Sequence, residues 1–61
     1  MEVEITPKWI NRQIQNGYNA VRIGFRFAIV HGRPAVICAN TESNTLVGAW
    51  SALERELRIP A

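Results

Sequence analysis

Residues 20–30 constrain this chain most: Val21, Ile23, Phe25, Phe27 and Ile29 take every odd position, with Arg22, Gly24, Arg26 and Ala28 between them. Strand side chains alternate between two faces, so the pattern predicts one strand with a single core face and with Arg22 and Arg26 pointing outward. His31 and Gly32 follow, and 34–40 is a second β-type run. Glycine after a residue that tolerates positive φ predicts a tight hairpin joining the two runs. A two-residue loop sets Phe27 opposite Val36 and Phe25 opposite Cys38. A three-residue loop sets Ile37 and Ala39 there instead. The first register is preferred, and Pro34, which has no N–H to give to a ladder, predicts an edge position.

The flanking segments supply helices. Residues 2–5 alternate Glu with Val3 and Ile5, the period of a short half-buried strand. Thr6 then suits an N-cap and Pro7 the first helical position, while Ile5 and Ile10 stand at the two positions of a hydrophobic staple. Gly17 after Asn16 is a C′ signal, so a helix is predicted over 7–16 with Trp9, Ile10 and Ile14 as its apolar stripe. Beyond a polar loop at 41–44, Leu46, Trp50, Leu53 and Leu57 recur at helical spacing, Glu54 and Arg58 form a favourable i,i+4 pair, and Pro60 ends the segment. Trp9 and Trp50, each on its apolar stripe, are expected in the core.

The expectation is a single α+β domain over 1–61, in the order β-α-β-β-α, an antiparallel sheet with two helices packed on one face. The other face is left open to solvent or a partner. A chain of 61 residues has room for one core, and 48% apolar against 20% charged residues is the balance of a folded domain. The lone Cys38 excludes an internal disulfide framework. No basic-then-apolar leader opens the sequence and its longest apolar run is 35–39, so a cytoplasmic protein without membrane contact is expected. With neither disulfide nor metal to reinforce so small a core, association is expected too, either as a homodimer or with another protein.

Catalytic chemistry finds little support. There is no glycine-rich phosphate loop, nucleophile elbow or Cys-x-x-Cys. In the expected hairpin His31 and Cys38 are about 20 Å apart along extended strand, and no second His or Cys completes a metal set. Of the five Glu residues, Glu2 and Glu4 sit on one strand and Glu54 and Glu56 point to different faces of one helix, so no acid/base pair is indicated. No enzyme activity, metal or cofactor is expected.

The surface residues that stand out are Arg22, Arg26, Arg33, Gly48 and Ala52. Arg22 and Arg26 would share the outward face of one strand about 13 Å apart, with Arg33 beyond the turn, a set able to reach carboxylates or phosphates. Gly48 lies nearly opposite the stripe of the second helix, with Ala52 one turn on. A solvent-facing Gly costs a helix about 1 kcal/mol relative to Ala, so either a partner backbone approaches there or the helix begins after Gly48. These features predict a small protein-binding module, comparable in size to inhibitors and adaptors of phages and mobile elements, that occupies a larger protein's surface. The alternative is a dimeric nucleic-acid-binding regulator using the arginine face. A net charge of only +2 and the absence of an aromatic platform among the arginines weigh against it.

Overall fold

The computed structural model describes residues 5–58. It is a small α+β domain in which helix α1 (Pro7–Gln15) is followed by strands β1 (Tyr18–Ile23), β2 (Arg26–His31) and β3 (Val36–Ile37) and by helix α2 (Leu46–Arg58). The antiparallel sheet has the order β1-β2-β3. The order among the described residues is therefore α-β-β-β-α. Residues 2–4 of the expected opening strand lie outside the described residues, and Ile5 is not in a strand.

The start of α1 follows from its local chemistry. Thr6 Oγ1 accepts from the Trp9 N–H at 3.2 Å, Pro7 occupies the first turn, and Asn16 closes the helix ahead of Gly17 at φ +97°. Ile5 and Ile10, the staple pair, both pack on the core. For α2, Thr45 Oγ1 accepts from the Gly48 N–H at 2.9 Å and the Thr45 carbonyl from Ala49 N at 3.1 Å. Thr45 thus caps a helix that includes Gly48.

The central strand pair departs from the expected one-strand reading. Residues 20–30 are not continuous; the chain reverses at Gly24 and Phe25, and Ile23 pairs with Arg26. Gly24 has φ +63° while Phe25 is not left-handed, the arrangement of a two-residue turn with glycine at its first central position. Cross-strand partners share a face, so Ile23 and Arg26 lie on the same side of the sheet and the odd positions change sides at the turn. Val21 and Ile23 belong to one face, and Phe27 and Ile29 to the other.

Neither expected register of the second hairpin forms. Val30 pairs with Ile37 and His31 with Val36, across a four-residue turn at 32–35 whose Arg33–Pro34 peptide is cis. The chain continues alongside β2, where Cys38 N donates to the Ile29 carbonyl at 2.7 Å. It then loops out through Asn40 at φ +64° and rejoins at Ser43, which exchanges two main-chain bonds with Phe27 at 2.7 and 2.9 Å. Thr41 fills the break: its hydroxyl accepts from Ile29 N at 3.1 Å and donates to the Cys38 carbonyl at 2.8 Å.

The core joins Ile29 to Ala49, Trp50 and Leu53 of α2, with Trp9 set edge-on to Trp50 at 6.1 Å. The sheet residues packed there are Tyr18, Ala20, Phe27, Ile29 and Cys38, all on one face by register. Several expected core positions are exposed instead: Ile14, Ile23, Phe25, Val36, Leu46 and Leu57. Leu46 and Leu57 stand at the two ends of α2, so only the central pair Trp50 and Leu53 of that stripe reaches the sheet. The small residues Ala49 and Ala52 take up the buried positions beside them.

Candidate interaction surface

The register assigns Asn19, Val21 and Ile23 of β1, Arg26, Ala28 and Val30 of β2, and Ile37 of β3 to the face away from the core cluster. Five of these seven are apolar. Ala28 is buried, Val21 and Val30 are half-buried, and Ile23 and Ile37 remain 47% and 48% exposed. At the hairpin tip Phe25 is 92% exposed, which leaves almost its whole ring in water. Burying such a side chain releases about 1.5–3 kcal/mol, so covering Phe25 and the apolar face beside it is favourable.

The charges on this face nearly balance. Arg26 Nη1 lies 3.9 Å from Glu42 Oε2, and both side chains are more than half exposed. An exposed pair of this kind contributes little stability but leaves the rim without a strong field of either sign. Arg22 pairs with Phe27 and therefore belongs to the opposite face from Arg26. The shared arginine face expected from sequence does not form, because the turn at Gly24 separates the two residues. The Arg22 Nε–H donates to the Gly24 carbonyl at 3.0 Å, and Arg33 sits in the β2–β3 turn.

Gly48 and Ala52 do fall together, lining a groove with Ser43, Ser51 and Arg55. Ala52, however, is buried. The tight approach at Gly48 comes from this chain itself: a Cβ there would collide with Ser43 Oγ and stand 2.7 Å from Thr45 Oγ1, the cap of the helix. The helix therefore includes Gly48, and its own capping loop occupies the space a Cβ would need.

His31 and Cys38 are closer than the expected hairpin allowed, being diagonal neighbours across β2 and the segment after β3. His31 stacks on Tyr18 with ring centroids 4.2 Å apart and turns Nε2 toward the Asn16 carbonyl at 3.3 Å. Burial pushes the Cys38 thiol pKa up, which disfavours the thiolate a nucleophile or metal ligand needs. Among the described residues no group of three His, Cys, Asp or Glu side chains could hold a metal ion, and no helix is long and apolar enough to cross a membrane.

Sequence reasoning missed Phe25, Ile23, Val21, Val30 and Ile37 as a surface. Two signals were present: an eleven-residue run is long for a strand, and Gly24 at its centre is the residue a hairpin turn takes at its first central position. Compared with known proteins, the chain finds no matching family model, curated protein or solved structure.

Proposed function

We propose that this chain is a small non-enzymatic protein-binding module that occupies a surface of a larger protein. It docks through the outer sheet face, with Phe25 as the anchor. The observation that carries this reading is the near-complete exposure of Phe25 beside the half-exposed Ile23. An aromatic ring on a short turn loses little conformational freedom when it enters a pocket, and such anchors dominate many interfaces. The complementary site is an apolar groove that accepts a phenyl ring, bordered by polar groups that can meet Arg26 and Glu42.

The test is affinity capture from lysate with the wild-type chain and with Phe25→Ser as parallel baits. A protein held by the wild type and lost from the variant supports the reading. Identical sets on both baits contradict it. A nucleic-acid regulator would show binding to labelled duplex that weakens steeply with salt, at a log–log slope of about −0.9 per phosphate contact. Arg22 and Arg26 lie on opposite faces, and no observation favours that second reading.

A further inference from the structure

The main-chain groups of β1 show which of its residues face the open side of the sheet. Ile29 directs its N–H to Thr41 and its carbonyl to Cys38, and Phe27 directs both groups to Ser43, all on the β3 side. Their partners Ala20 and Arg22 are therefore the wide, non-bonded positions of the β1–β2 ladder, and so is Tyr18 two residues earlier. The N–H and C=O groups of Tyr18, Ala20 and Arg22 point outward along the free edge. Among the described residues no main-chain group pairs with them. Asn19 Oδ1 alone covers one, accepting from Ala20 N at 2.9 Å.

We propose that two copies of this chain pair antiparallel along this edge, about a two-fold axis at Ala20, and join their sheets into one. The spacing is self-complementary. Ala20 of one copy meets Ala20 of the other, and Tyr18 meets Arg22, so every outward group finds its counterpart in a hydrogen-bonded pair. The Ala20 N–H exchanges its bond to Asn19 for one across the axis. Charge selects this register: sliding the strands until the two Arg22 residues face each other sets like charges directly opposite, which is unfavourable. The two-fold at Ala20 places each guanidinium beside the Tyr18 ring of the other copy, where a cation–π contact can form.

A second copy also fits the need for stabilisation. The large apolar side chains that are buried among the described residues are few, Ile29, Trp50 and Leu53, with alanines making up the rest of the apolar core. Domains of this size commonly add association to so limited a core. Because the axis runs perpendicular to the sheet, the two outer faces end on the same side as one continuous surface. The pairing uses main-chain groups of the edge, independent of whatever covers Phe25.

Sedimentation equilibrium of the wild type and of Arg22→Pro, from micromolar to millimolar concentration, tests this. Arg22 is exposed and its N–H lies outside the β1–β2 ladder, so proline removes an edge donor without removing a bond inside the sheet. The wild type should reach twice the 6.9 kDa chain mass while the variant stays at the single-chain mass. A wild type that stays monomeric throughout, or a variant that keeps the dimer mass, overturns the proposal. Should the variant fail to fold, hydrogen exchange of the wild type decides: the Arg22 amide should exchange more slowly as concentration rises, and a concentration-independent rate overturns it.

Discussion

Thr41 stands in for a strand residue beside Ile29: its side-chain oxygen, not a main-chain carbonyl, receives the Ile29 N–H at 3.1 Å. The same hydroxyl donates to the Cys38 carbonyl at 2.8 Å, so one side chain completes both ends of the gap where the chain loops out. Both Thr41 and Ile29 are fully buried. A polar group left unpaired at such a place costs far more than an exposed bond gains.

Thr41→Val keeps the shape and removes the hydroxyl, leaving the Ile29 N–H without an acceptor. We expect a loss of about 1–3 kcal/mol in urea unfolding. Thr41→Ser retains the oxygen and should lose only the buried methyl, roughly 1 kcal/mol. Equal losses for the two variants would show that the hydroxyl is not a rung of the ladder.

At Gly48, propensity and packing oppose each other. Alanine would gain about 1 kcal/mol within a helix. Its Cβ would displace Thr45 Oγ1, a cap contributing about 0.5–2 kcal/mol, and would also push on Ser43, which is tied to Phe27 by two main-chain bonds. Packing should win, so Gly48→Ala lowers the melting temperature despite the better helix former. A raised melting temperature would refute the close approach of the loop at 43–45.

Burial raises the Cys38 pKa above the ordinary thiol value of about 8.5. The folded state then holds the thiol proton more tightly than the unfolded state does. The associated stability is fully present below the unfolded-state pKa and declines as pH rises through the folded one. Iodoacetamide should therefore reach half-maximal alkylation rate at a higher pH on the folded protein than in urea, and coinciding profiles would contradict this.

Ala49 has no exposed surface where α2 meets the sheet, and in a close-packed core a larger side chain there has to displace its neighbours. Ala49→Leu should destabilise by about 1–3 kcal/mol through overpacking. An increase in stability would mean that helix and sheet are not in close contact there.

What the sequence discloses and what it conceals divide by range. Thr6, Pro7 and Gly17 act within a turn of their own helix, and α1 forms almost where they indicate, at Pro7–Gln15. Trp50 and Leu53 follow from helical spacing alone. The alternation over 20–30, in contrast, is the same whether the run is one strand or a hairpin, since a two-residue turn preserves odd–even spacing while exchanging the faces. Only the conformation at Gly24 distinguishes them. The bond from Thr41 to Ile29 spans twelve residues and has no local signature. The buried alanines of α2 were invisible because their burial depends on how closely the helix approaches the sheet. The candidate surface inherits these limits: the alternation puts Ile23 and Phe25 on the core face and Arg22 and Arg26 together, whereas Ile23 lies on the outer face, Phe25 in the turn and the two arginines on opposite faces.

The outer surface exists only if the chain changes face at Gly24, and urea unfolding of Phe25→Ala against Phe27→Ala tests that change most directly. Phe25 is almost wholly in water and Phe27 packs against the core. Phe25→Ala should leave stability within about 0.5 kcal/mol of wild type, as exposed substitutions do. Phe27→Ala should cost several times more, approaching about 3 kcal/mol. Comparable losses at the two positions would restore a single strand with one core face and remove the docking surface with it.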